Sequence, residues 1–346
     1  MSRNRWWRIG AVCAAILVTV SVVLWRWPSP SGDALTTGAP TAGALTAGAL
    51  TAEERRSLDT LRVVDPGHPL LAMTLYAPYD ALRPVAVAPR TDAPLACSLF
   101  VAAKGPRGPL FGRNFDWTAN PAMVLTTRDS ISLVDISYLG ITRADAGRVM
   151  TDPALRRKLL NAAALPFDGM NRHGLAVGMA QIPGAEPPRT AGNPVVGTVR
   201  ILRLVLDQAR TVDEAIAVFG RYNVEFDPGE PALHYLIADA TGRSAAVEFV
   251  DGRVRVIPGA GDWHNMVNFV LTGAGEDVKR ADDRYSAIAK RMRDTGGSLD
   301  PDQAMGLLSK VAQPHTRWST VYELNHRIVH VALDRDYGKR HTFRLP

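Results

Sequence analysis

Cysteine is almost missing from this sequence: its 346 residues hold two, Cys13 and Cys97. Cys13 lies within the apolar run IGAVCAAILVTVSVVLW, which reads as lipid-embedded or removed on export. Cys97 therefore has no intramolecular partner, and neither a disulfide framework nor a Cys₂ or Cys₄ metal site is available. The histidines offer no substitute. The eight of them (His68, His173, His234, His264, His315, His326, His330 and His341) form no HExxH or paired-ligand spacing, so no metal is expected. His326 and His330 would share a face only on a helix, and their segment reads as strand. There is no GxSxG elbow for a serine triad. GPRGPLFG lacks the lysine of a phosphate loop in the right frame, so no nucleotide and no other cofactor is expected. Long basic tracts are also missing. The formal charge is +6, but Arg3, Arg5, Arg8 and Arg26 supply four of those charges and residues 1–30 contain no acid. Residues 31–346 carry only +2 (6 − 4), which gives no basis for a nucleic-acid partner.

What is present divides into four stretches. Residues 1–27 join a basic cluster, MSRNRWWR, to a mostly apolar run from Ile9 to Trp25, expected to act as a signal anchor or signal peptide. The positive flank would stay in the cytoplasm. The rest would be exported, either membrane-associated through a transmembrane helix and facing the periplasm or outside, or secreted if cleaved. Residues 28–50, PSPSGDALTTGAPTAGALTAGAL, are too small and flexible in composition to form a core and read as a linker. Residues 51–96 form a pro-segment or small subunit, opening on TAEERRSLDTL, where Thr51 and Glu54 have capping-box spacing. Residues 97–346 are long enough for one sizeable core.

Within that last stretch, Cys97–Ala103 and Leu110–Asp116 read as two short strands joined by the turn KGPRGP. SISLVDISYLG and GLAVGMAQI are further strands, and RRKLLNAAALPFDG is helical. VRILRLVLDQARTVDEAIAVFGRY holds two helical stretches. HYLIADATGRSAAVEFVDGRVRVI forms strands about Asp-Ala-Thr-Gly and Asp-Gly turns. DDRYSAIAKRMRD and DQAMGLLSKVAQ are helices, and TVYELNHRIVHVALDR with KRHTFRL closes the chain as strands. Sets of strands with helices grouped between them indicate an α+β fold rather than regular βαβ alternation.

An isolated cysteine is ordinarily a small buried hydrophobe, but the residues after Cys97 argue otherwise. CSLFVAAKGPRGPLFGRNFDW resembles the start of the mature catalytic chain in the choloylglycine hydrolase superfamily of N-terminal-nucleophile amide hydrolases, among them bile salt hydrolases, penicillin V acylases, acid ceramidase and N-acylethanolamine acid amidase. The spacing of Cys97, Arg113 and Asp116 matches the nucleophile, arginine and aspartate of that family. DGMNRHGLAVG, HYLIADATGRSAAVEF and MVNFVLTG followed by ADDRYSA resemble three further family regions, in order. The last maps an asparagine and a second arginine onto Asn268 and Arg284, with Asn265 as the competing asparagine, because Val267 replaces the usual threonine. The resemblance implies a four-layer αββα fold with two stacked antiparallel sheets, scission before Cys97, and attack by Cys97 on a linear N-acyl amide through a thioester.

The chemistry of the residues agrees. A thiol titrates near ~8.5 and an α-amine near ~7.7–8, so an amine freed by cutting Ala96–Cys97 can serve as base to its own thiol. Asp116 would hold that amine, Arg113 would favour the thiolate, Asn268 would donate to the oxyanion, and Arg284 would brace the site or the substrate. Strand alternation places Arg113 and Asp116 on opposite faces unless the strand twists or bulges. Arg113 and Asp116 could otherwise be an ordinary ion pair. Asn171 reads as a turn residue and Asp283 as a helix cap. The Met-Thr strand of HPLLAMTLYAPYD resembles the ceramidase-like branch, favouring lipid-like acyl amides. The alternatives are an acyltransferase, a penicillin V or bile-salt type of acylase, and a non-catalytic exported binding protein.

Overall fold

A computed structural model describes residues 48–85, 87–88, 96–226 and 231–346. Two sheets dominate. Across the first run nine strands, in the order Arg62–Asp65, Leu70–Thr74, Ala122–Thr126, Ser130–Asp135, Asp168–Asn171, Ala176–Gln181, Leu233–Ala238, Ser244–Val250 and Arg253–Pro258. The second has six, Trp263–Met266, Ala96–Ala102, Leu110–Asp116, Thr316–Glu323, Ile328–Leu333 and Arg340–Arg344. Helices Arg200–Gln208 and Val212–Arg221 pack on the nine-stranded sheet, and helices Asp283–Thr295 and Pro301–Lys310 on the six-stranded one. The mixed α/β architecture with two stacked sheets is the one expected.

Strand alternation builds these layers directly from sequence. Along Ala96–Ala102, Cys97, Leu99 and Val101 enter the core between the sheets. Phe100 and Ala102 point the other way, onto Ile288, Met292, Met305 and Leu308 of the covering helices. The next strand repeats the pattern, with Phe111 and Phe115 inside and Leu110 outside. The helix at Ala52–Asp59 starts on the expected capping box, Thr51 with Glu54.

Three expectations need correction. The nine-stranded sheet is not wholly antiparallel, because Leu70–Thr74 and Ala122–Thr126 pair in parallel. Between them the chain leaves to form two strands of the other sheet, a long crossover that lets it return in the same direction. The helix beginning at Asp283 is capped by Asp282, whose carboxylate receives the N–H groups of Arg284 and Tyr285; Asp283 is already inside the helix. Finally, among the described residues no helix is long and apolar enough to cross a membrane, and the segment 9–25 on which the transmembrane expectation rests lies outside those described. The transmembrane helix and the membrane association drawn from it are withdrawn.

The sheets pack tightly at Gly178, where an added Cβ would stand 2.8 Å from Leu99 Cδ2 and 3.3 Å from Phe111 Cζ. Overpacking such a contact costs about 1–3 kcal/mol. Gly178→Val should therefore lower the urea midpoint by a corresponding amount, with the m-value unchanged.

Candidate active site

Cys97 and Arg113 meet because they face inward on paired strands, Cys97 opposite Phe115 and Leu99 opposite Arg113. This diagonal relation brings long side chains into contact. Arg113 Nη2 lies 3.8 Å from Cys97 Sγ. The guanidinium is fully buried, and burying such a charge is costly unless it is paired and hydrogen-bonded. Asp168 on the facing sheet supplies the partner, its Oδ2 2.5 Å from Arg113 Nη1, and the carbonyl of Phe167 accepts from the same nitrogen. Asp168 is fixed in turn by Trp318 Nε1 at 3.0 Å and by the Tyr322 hydroxyl. Phe115 stacks on Trp318 at 4.0 Å between ring centres and completes the wall around the arginine. Asp168 carried no role in the sequence reading. Its only signal was its place as the first residue of DGMNRHGLAVG, where Asp-Gly reads as turn chemistry.

The other side of Cys97 is held through its backbone. Its N–H donates to Asn268 Oδ1 at 2.8 Å, and its carbonyl accepts from Arg284 Nη1 at 3.0 Å. Arg284 Nη1 also donates to Asn268 Oδ1 at 2.9 Å, while Nη2 reaches Asp282 at 2.9 Å. Asn268 Nδ2 donates to the carbonyl of Gln181. Asn265 goes elsewhere: its Nδ2 donates to the Tyr285 carbonyl, tying its strand to the Arg284 helix. Of the two candidates, Asn268 is the one at Cys97. Asn171 pins its own turn, accepting from the N–H groups of His173 and Leu175, and donates to the carbonyls of Leu206 and Ala209.

Asp116 ends its strand opposite Ala96. The neighbouring strand is irregular beside it, with a register shift between Thr316 and Trp318. Thr316 Oγ1 donates to Asp116 Oδ1, whereas Oδ2 is buried without a hydrogen-bond partner and 4.0 Å from Arg284 Nη1. Burial raises the Asp116 carboxyl to about 6, outweighing Thr316, Arg284, Arg113 and Arg317, which pull it down. The Cys97 thiol is also pushed up by burial, against the opposing charge of Arg113. Among the described residues no group of three His, Cys, Asp or Glu side chains could hold a metal ion.

Residues 166–270 match the family model described as acyl-coenzyme A:6-aminopenicillanic acid acyl-transferase. A penicillin V acylase of Pectobacterium atrosepticum is 28% identical over 203 residues, 54% of this chain and 53% of that protein. The chain thus spans about half the length of this curated relative. Two substituted forms of the conjugated bile acid hydrolase of Clostridium perfringens superpose with TM-scores of 0.51 and 0.50 at 15% and 14% identity, each over 72% of this chain and 92% of theirs.

An acid whose pKa is higher folded than unfolded makes its full contribution below the unfolded value and loses it as pH rises through the folded one. For Asp116 that window runs from 3.8 to about 6, and a shift of this size corresponds to a destabilisation on the order of 3 kcal/mol above it. With Cys97→Ala present to keep the chain uncut, Asp116→Asn should flatten the fall in melting temperature between pH 4 and pH 6.5. Parallel profiles with and without Asp116→Asn would contradict the assignment.

Proposed function

We propose that this chain is a cysteine amidase, hydrolysing the C–N bond of a linear N-acyl amide after cutting itself between Ala96 and Cys97; its match to an acyl-transferase family model over residues 166–270 and its 28% identity to a penicillin V acylase support that reading. The observation that carries this reading is that sulfur and nitrogen of the same residue are each held by a separate group, Sγ by Arg113 and N by Asn268. In the uncut chain that nitrogen is an amide and cannot accept a proton. Attack of the thiol on the Ala96 carbonyl shifts the acyl group to sulfur. Hydrolysis of that thioester then leaves an Ala96 carboxylate and a Cys97 with free thiol and free amine. The amine can then take the thiol proton as general base, and its hydrogens give the unpartnered Asp116 Oδ2 a donor.

In turnover the Cys97 thiolate attacks the substrate carbonyl. The oxyanion is stabilised by the Asn268 amide, Arg284 braces Asn268 and the Cys97 carbonyl, and the protonated α-amine returns its proton to the leaving amine. Water then releases the acyl group. The lipid-like acyl preference rests on the resemblance of HPLLAMTLYAPYD to the ceramidase-like branch. The description of the matched family model favours a second reading, acyl transfer, in which an amine replaces water at the thioester. The product ratio with an added primary amine acceptor would separate the two: a transferase gives mainly the new amide at an acceptor concentration where a hydrolase still gives mainly the free acid.

Intact mass and N-terminal sequencing should find a large fragment beginning at Cys97, and Cys97→Ala should remove both scission and amidase activity. Asn268→Ala should lower kcat by about 10²–10³-fold, the usual loss of an oxyanion donor. Full activity from a preparation still joined across Ala96–Cys97 would refute the α-amine as base.

Delivery outside the cytoplasm belongs to the same proposal, on the basic cluster and apolar run of residues 1–27. A reporter that is active only in the cytoplasm, fused after residue 50, should remain inactive; activity there would place the enzyme inside the cell.

A further inference from the structure

Two buried residues outside the reacting centre hold the loop that carries Asn268. His234, on Leu233–Ala238, and Glu248, on Ser244–Val250, are both fully enclosed, with Nδ1 and Oε1 2.9 Å apart. His234 Nε2 lies 2.7 Å from the carbonyl of Val267, the residue immediately before Asn268. Glu248 Oε1 accepts the N–H of Leu271 at 2.7 Å, and Oε2 that of Thr272 at 2.8 Å. One side-chain pair on the nine-stranded sheet therefore grips the loop on both sides of Asn268. Burial opposes ionisation of Glu248, but His234, the Leu271 N–H and Thr272 outweigh it and hold the carboxyl below its ordinary value. Both ring nitrogens of His234 face oxygens, Nδ1 the Glu248 carboxyl and Nε2 the Val267 carbonyl.

We propose that His234 and Glu248 are positioning residues for the Cys97 site. They set the place of the 267–272 loop, so that Asn268 Oδ1 stays on the Cys97 nitrogen and its amide group stays at the reacting carbonyl. The role rests on the amidase reading above. It differs from simple core packing in what it predicts: a displacement of the loop by as little as 1 Å impairs chemistry while leaving substrate affinity and the rest of the fold in place.

The test compares His234→Gln, Glu248→Gln and Glu248→Ala with the parent chain on a chromogenic N-acyl anilide, together with the rate of self-cutting and amide hydrogen exchange. His234→Gln should lower kcat roughly ten- to a hundredfold with KM within about twofold. Exchange should quicken at Leu271 and Thr272 and not in the distant strands. Glu248→Gln, which keeps an accepting oxygen, should retain more activity than Glu248→Ala. Unchanged kcat, a change in KM alone, or equal loss in both Glu248 variants would overturn the positioning role. If His234→Gln does not fold, the two Glu248 variants decide it. A parent chain that cuts itself yet hydrolyses no amide would overturn the amidase reading alone. The positioning role would then be judged on self-cutting, which the same variants should slow.

Discussion

A buried arginine between two sheets is the constraint on which the site depends. Arg113 comes from the six-stranded sheet and Asp168 from the nine-stranded one, so their ion pair fixes the two inner faces against each other at Cys97. A lone guanidinium there would be strongly unfavourable, and removing one member of such a pair leaves an uncompensated charge. Trp318, Tyr322 and the Phe167 carbonyl are therefore part of the arrangement that keeps a cation beside the sulfur. The same enclosure explains why burial dominates the titration of both Cys97 and Asp116.

Much of the layering was legible because strand alternation is a short-range signal. Cys97, Leu99 and Val101 against Phe100 and Ala102 can be sorted from spacing alone, and the structure sorts them that way. The pairing of Leu70–Thr74 with Ala122–Thr126 was not legible, since its parallel sense is set by a crossover through the other sheet. Alternation also left Arg113 and Asp116 on opposite faces. Asp116 ends its strand beside a register shift in the Thr316–Glu323 strand, and Thr316, two hundred positions along the chain, binds its carboxylate. No pattern within GRNFDW could contain that contact.

The candidate site divides in the same way. Cys97, Arg113, Asp116, Asn268 and Arg284 could be nominated because the motifs keep order and spacing, and the fold brings these side chains together around Cys97. Asn268 and Asn265 are three apart and chemically identical, so only the end of the strand at Met266 distinguishes them: Asn265 remains in the sheet and Asn268 lies beyond it. Asp168, His234 and Glu248 escaped notice for a different reason. Each acts on another residue's geometry, and such roles leave no spacing of their own in a single chain.

The proposed scission would act as a switch with little rearrangement. The Cys97 nitrogen already rests on Asn268, the carbonyl on Arg284, and the sulfur beside Arg113. One buried oxygen, Asp116 Oδ2, lacks a hydrogen-bond partner, and a buried acceptor left unsatisfied carries a free-energy penalty. In the proposed sequence, hydrolysis of the Ala96–Cys97 bond changes the chemistry of a nitrogen that is already in place, from an amide with one hydrogen to an amine with a lone pair and hydrogens to spare. The base that turnover requires and the donor that Asp116 lacks then come from the same atom, so relief of the aspartate and activation of the thiol are one event.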